Sequence, residues 1–190
     1  MKTFYSLIAL LFLSLMQAQE KNEQEKRISK KEVPAEVKSW LNDAYEVKRK
    51  VKWYYQTDGE KQVYEAKLKF KKQKHSVEIK PNGEVVNIEV EIDFDAIQIK
   101  AKQKIKNYYT AHYNKYNIKK VQIQYTGSNE DLEDLMDEDK LDDDIEINYE
   151  IVFYGKTETE DELWESLFDA NGNLVLLRKI KLMATDNLDY

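Results

Sequence analysis

The 190-residue chain contains no cysteine. No disulfide can brace it, and no thiolate can serve as nucleophile or soft metal ligand. It has two histidines, His75 and His112, too far apart for the i, i+4 pair of a helical zinc motif. Five glycines and two prolines are dispersed, so neither a phosphate-cradling Gly-rich loop nor a nucleophile elbow can be drawn. Covalent catalysis needs an activated Ser, Thr, Cys or Lys beside a base. No Gly-rich elbow or serine motif accompanies either histidine, and no catalytic residue, metal ligand or cofactor is expected. Acidic residues outnumber basic ones, 36 to 30, which opposes non-specific attraction to nucleic acid or anionic lipid.

Long apolar runs are also scarce. One extends from Phe4 to Met16, shorter than the roughly 20 residues of a membrane-spanning helix. Met1-Lys2-Thr3 precedes it, and Gln17-Ala18-Gln19 follows. This is the layout of a secretory signal peptide over residues 1–18, cleaved after Ala18. No cysteine stands there to carry a lipid, and no second long apolar run follows. The expectation is a periplasmic or secreted protein without stable membrane insertion. Residues 19–32 are polar, with Ile28 the one large aliphatic residue among them, and read as a flexible leader.

What is present is self-similarity. Val77 to Val86 carries Asn82-Gly83 between two β-rich runs, and Ser166 to Val175 carries Asn171-Gly172 in the same place. Asn-Gly is the strong signal of a type I′ hairpin. Tyr64-Glu65-Ala66 similarly matches Tyr149-Glu150-Ile151, and Val51-Lys52-Trp53 matches Val121-Gln122-Ile123. A helix is expected before each first strand. One begins near Pro34 with Val37, Trp40 and Leu41 on a stripe. The other begins near Asp95 with Ile97, Ala101, Ile105 and Tyr108 on its stripe. The strands alternate: Tyr64, Ala66, Leu68 and Phe70 against Glu65, Lys67 and Lys69. Such a period indicates an antiparallel sheet covered on one face. The expected class is α+β, with two tandem helix-plus-four-strand repeats at 33–92 and 93–190.

The second repeat departs from the first in two ways. Its strands are apolar on both faces in places: Leu163 and Leu167 stand beside Trp164 and Phe168. One face meets the helix; the other meets a partner or the first repeat, unless a bulge swaps the faces. With Tyr54 and Tyr154 placed on the polar face, the candidate partner-binding residues are Tyr54, Tyr154, Leu163 and Leu167. The second departure is an acidic insertion over 128–144, with ten carboxylates and one lysine in residues 130–144. Clustered carboxylates suit Ca²⁺, but this run lacks the Asp-x-Asp-x-Asp-Gly frame and a glycine to turn about an ion. It reads as a solvated loop dispensable for folding. Its interspersed Leu132, Leu135, Met136 and Leu141 leave open a short helix or a docking segment.

The ordered set Val33-Pro34-Ala35-Glu36-Val37, Val51-Lys52-Trp53, Tyr64-Glu65-Ala66 and a Pro-Asn-Gly or Asp-Ala-Asn-Gly hairpin resembles the PepSY-like, β-lactamase-inhibitor-like proteins exported by Gram-negative bacteria. The resemblance is strong over 33–92 and looser over 94–182, where the proline and tryptophan are missing. It implies the helix-plus-four-strand repeat and a non-enzymatic protein-binding role, as an inhibitor or chaperone of an exported enzyme. The alternative is a Ca²⁺-responsive or structural envelope protein using the acidic loop.

Overall fold

A computed structural model describes residues 19–21, 23–45 and 50–180. The expected signal peptide, residues 1–18, lies outside the described residues, as do the positions after Ile180. The first helix, α1 (Ala35–Tyr45), follows Pro34 and buries Val37, Trp40, Leu41, Ala44 and Tyr45. These lie at i, i+3, i+4, i+7 and i+8, the spacing that puts one stripe against a core. Four strands follow: β3 (Lys52–Asp58), β4 (Lys61–Phe70), β5 (Gln73–Ile79) and β6 (Val85–Glu91). The second helix, α2 (Ile99–His112), precedes β7 (Lys115–Thr126), β8 (Glu146–Lys156), β9 (Asp161–Asp169) and β10 (Leu174–Ile180). The class is α+β, and all these strands join one sheet in sequence order.

Both helices cover the same face of that sheet. Trp53, Ala66, Val77 and Ile88 pack under α1, while Val121, Ile151, Phe153, Trp164 and Phe168 pack under α2. Val90 pairs with Ile123 across the β6–β7 junction, and Ile123 touches both clusters. On α2 the fully buried ring is Tyr109, while Tyr108, expected on the stripe, is half-buried against the same cluster. The Tyr109 hydroxyl shares a hydrogen bond with Ser166 Oγ at 2.7 Å, and Ser166 in turn donates to the Ile151 carbonyl at 3.2 Å. The core therefore keeps its buried hydroxyls paired, as a low-dielectric interior requires.

Of the residues expected to form a flexible leader, Gln19–Lys21 and Glu23–Ile28 are strands and Lys30–Glu32 is a short 3-10 helix. β1 (Gln19–Lys21) runs parallel to β10, with Lys21 opposite Ile180. β2 (Glu23–Ile28) runs antiparallel to β3, with Glu23 opposite Asp58. One residue separates them, and extended chain advances about 3.3 Å per residue. The two edges of the sheet are thus joined by one strap, and the sheet curls toward closure with its helices outside. Composition misled here because backbone pairing to two free sheet edges supplies the ordering that side-chain burial does not.

The acidic insertion is not a solvated loop. Asn129–Asp137 forms α3, whose Leu132 and Met136 are buried in the core beneath α1, together with Ile145. Ser128 caps it by accepting from the Asp131 N–H at 3.2 Å. Trp40 Nε1 donates to the Asn129 carbonyl at 3.1 Å. Asn129 accepts from the Val85 N–H at 2.9 Å and donates to the Gly83 carbonyl at 2.9 Å. A segment of the second half of the chain thus completes the core of the first half, which argues against its being dispensable for folding.

The Asn-Gly pairs sit between β5 and β6 and between β9 and β10, but they are not type I′ turns. Gly83 and Gly172 have φ of +87° and +78°, whereas neither asparagine has positive φ. The Gly83 and Gly172 N–H groups close four-residue turns on the Lys80 and Asp169 carbonyls. That is a type I turn followed by a left-handed glycine, the other common hairpin connection. The two-residue turn with both φ positive is Lys71-Lys72, at 46° and 72°.

Candidate binding face inside the curled sheet

Alternation along each strand sends every second side chain away from the helices. On this inner face the register sets Glu65 beside Glu78, Glu78 beside Asn87, Gln122 beside Glu150 and Glu165 beside Arg178. These polar positions are not solvated: Gln56, Glu65, Ser76, Glu78, Asn87, Gln122, Asn148, Glu150 and Glu165 are all buried. The curl of the sheet, not a second layer, takes them out of water.

Their partners lie within the belt. Glu78 accepts from Gln56 Nε2 at 3.0 Å, Lys61 Nζ at 2.6 Å and Asn87 Nδ2 at 3.3 Å. Glu65 accepts from Ser76 Oγ and pairs with Lys67 Nζ at 3.1 Å. Lys67 also reaches Glu25 of the strap at 2.6 Å. Burial, reinforced by the nearby Glu25 carboxyl, pushes the Glu65 carboxyl up to about 7. Burial works against the charge on Lys67, but Glu65 and Glu25 more than offset it and hold the ammonium above its ordinary range. Arg178 donates Nε to Glu165 at 3.0 Å.

All four expected partner-binding residues stand on this inner face. Tyr154 lies directly opposite Leu163, and Leu167 lies between Glu150 and Leu176. Tyr154 and Leu163 form one neighbourhood, while Leu167 lies four residues further along β9. Tyr54 lies apart on β3, opposite Glu65, with Lys67 Nζ 4.7 Å from its ring centroid. Tyr154 is 41% exposed, with Lys119 Nζ 5.1 Å from its ring centroid; Leu163 is half-buried. The doubly apolar strands have two causes. Trp164 and Phe168 face the helix while Leu163 and Leu167 face inward, and a bulge between Leu174 and Leu176 re-aims β10. Sequence reasoning missed the buried polar belt, because the same alternation describes a solvated face. The signal that could have found it is the set of uncharged amides, Gln56, Asn87, Gln122 and Asn148, where a wet face more often carries lysine or threonine.

The two histidines lie elsewhere. His75, on the helix side, shares a hydrogen bond between Nδ1 and the Tyr45 hydroxyl at 3.2 Å, and burial lowers it to about 4. It borders a groove of about 380 Å³ with Phe70, Ile92, Ile123, Leu135 and Tyr149. His112 ends α2 and stacks on Tyr108. Among the described residues, no three His, Asp or Glu side chains converge as metal ligands, and no helix is long and apolar enough to cross a membrane.

No protein-family model and no curated protein matches the chain. Its fold matches solved structures from Bacteroides. A DUF2874 family protein from Bacteroides ovatus superposes with a TM-score of 0.52 at 14% identity, covering 77% of this chain and 87% of that one. A protein described as periplasmic from Bacteroides eggerthii gives 0.51 at 13% identity, covering 77% and 88%. A BLIP-like protein from Bacteroides fragilis gives 0.50 at 12% identity, covering 80% and 90%. The β-lactamase-inhibitor-like resemblance read from the sequence is thus met at the level of the fold.

Proposed function

We propose that the chain is an exported, non-catalytic binding module built from two tandem helix-plus-four-strand repeats. It engages a protein partner through the inner-face rim of β8 and β9. The observation that carries this reading is the Tyr154–Leu163 pair. An aromatic ring that is 41% exposed, flanked by an aliphatic residue and a lysine, offers contact area at low entropic cost. It does so at the edge of a face otherwise largely polar and buried. Export is supported by the charged start, short apolar run and Ala18 of the sequence, and by the structural neighbour described as periplasmic. The absence of a catalytic role is supported by the placement of the histidines. His75 is buried against Tyr45, and His112 accompanies no nucleophile motif.

Two measurements test the reading. Intact mass of protein recovered outside the cytoplasm is expected to show a start at Gln19; a start at Met1 overturns export. A photo-crosslinking residue at Tyr154 or Leu163 is expected to trap one discrete protein from the native envelope. The same residue at Lys106, on the exposed side of α2, is expected to trap none. Equal trapping from both positions removes the β8–β9 rim as the docking surface. The identity of the trapped protein then decides between inhibition of an exported enzyme and chaperoning of one.

A further inference from the structure

The inner belt has acceptors left over. Gln56 Nε2 and Asn87 Nδ2 donate to Glu78, and Asn148 Nδ2 donates to Glu146 at 3.0 Å. Each amide is oriented by that bond, since a flip would set its carbonyl against a carboxylate. Among the described residues, the carbonyl oxygens of Gln56, Asn87 and Asn148 are then buried and accept no hydrogen bond, and Gln122 Oε1, in the amide orientation of the structure, is a fourth. All four residues are more than nine-tenths buried and point inward from β3, β6, β7 and β8. The other orphaned atoms include Trp53 Nε1 and Trp164 Nε1, which belong to the helix side. Among the described residues, the inner-face amides whose orientation a bond fixes are thus left with spare acceptors, and a buried acceptor without a donor is costly.

We infer that this belt receives a basic side chain, arginine or lysine, presented by the protein partner; the inference rests on the binding reading above. Arginine brings five donors and lysine three, and neither brings an acceptor. The aliphatic stem of such a residue has Val63, Val152 and Leu167 to lie against on the same face. A metal ion is the poorer match, because no three carboxylate or imidazole groups converge among the described residues. Entry requires the strap to lift. β2 is mostly exposed along its length, and among its side-chain ties is the Glu25–Lys67 ion pair. Exposed pairs of this kind hold weakly.

The test uses the mature chain, residues 19–190, and short peptides of glycine with one central arginine, lysine or citrulline. Side-chain amide resonances of Gln56, Asn87, Gln122 and Asn148 are followed by NMR. The arginine and lysine peptides are expected to shift them saturably. The isosteric citrulline peptide, and Ca²⁺ alone at matched ionic strength, are expected not to. Gln122→Met removes one orphaned oxygen at similar volume. It is expected to weaken arginine-peptide binding roughly tenfold, as for a hydrogen bond to a charged group, while leaving the thermal midpoint at or above wild type. Asn148→Leu checks the same point from β8. Glu25→Ala loosens the strap and is expected to tighten binding by up to about fivefold. Equal shifts with citrulline, or unchanged affinity in both belt variants, overturn the inference and leave water as the occupant. Crosslinks at Tyr154 with no arginine-peptide binding sink the belt site alone. Arginine-peptide binding without crosslinks sinks the rim reading, and with it the partner as the source of the basic group.

Discussion

Arg178 Nη1 lies 3.3 Å from Asp58 Oδ2, although 120 residues separate them. One residue is on β10 and the other on β3, strands at opposite ends of the sheet order before the strap is added. The contact is the side-chain counterpart of the strap, and it ties the two ends of the curl together. Arg178 also holds Glu165, which is 4% exposed. Replacing Arg178 by leucine leaves that carboxylate without its guanidinium and is expected to cost about 2 kcal/mol in urea unfolding, below the fully buried range because Arg178 is partly exposed. Asp58→Asn keeps the Glu165 pair and is expected to cost under about 1 kcal/mol. Amide exchange over residues 23–28 should accelerate in both. Unchanged exchange would mean that the strap is held independently of the seam.

The acidic helix is predicted to be structural. Leu132 is fully buried, so Leu132→Ala is expected to cost about 2–5 kcal/mol. Replacing residues 129–144 by a short turn removes Leu132, Met136 and the Asn129 bonds to Val85 and Gly83 together, and is expected to unfold the α1 half at ambient temperature. Exchange of Asp134 for asparagine, which touches only the exposed pair with Lys140, should change stability by under about 0.5 kcal/mol. A wild-type thermal midpoint in the deletion would show that α1 finds another cover.

The two hairpin glycines should differ in their tolerance of a methyl group. A Cβ at Gly172 would lie 2.5 Å from the Ala101 carbonyl oxygen, whereas one at Gly83 would lie 3.2 Å from Glu36 Cβ. Both pay the left-handed backbone cost of roughly 1 kcal/mol, but only Gly172→Ala must also push the α2 backbone away. Its loss of stability is expected to exceed that of Gly83→Ala by about 1 kcal/mol or more. The order of the two thermal midpoints checks this.

The helices and the strands from Lys52 onward could be read from the sequence because each is fixed locally. Trp40 and Leu41 lie on a helical stripe, and Tyr64, Ala66 and Leu68 lie on an alternating one. The strap, the polar belt and the role of α3 could not. Each depends on what lies across the fold: Glu23 on Asp58, Gln122 on Glu150, Leu132 on the residues beneath α1. A polar strand in water and a polar strand inside a curl have the same alternation. Gln24-Glu25-Lys26 carries nothing that distinguishes a leader from an edge strand. The hairpin positions were legible and their turn type was not, because Asn-Gly serves both the two-residue turn and the glycine-bulge turn, and Pro81 fixes a negative φ before Asn82 in one of them.

The two buried titrating groups act on stability in opposite directions. Glu65 faces Glu25 from β2, Tyr54 from β3, Ser76 and Glu78 from β5, and Lys67 on its own strand. Its folded carboxyl sits at about 7 against an ordinary 4.5. The folded state keeps a proton that the unfolded chain has lost, so the contribution of Glu65 is fully present below about 4.5 and declines as pH rises toward 7. His75 faces Tyr45 and Lys71, and its folded value is about 4 against 6.5. The unfolded chain takes up the proton first, so stability falls as pH drops from about 6.5 toward 4. Glu65→Gln is therefore expected to gain on wild type steadily between pH 5 and 7, and His75→Gln to gain on it as pH falls below 6. Urea midpoints taken at half-unit steps would separate the two slopes. If the Glu65→Gln difference is flat with pH, or grows toward acid, the carboxyl is ionised throughout and the belt is less dry than its burial indicates.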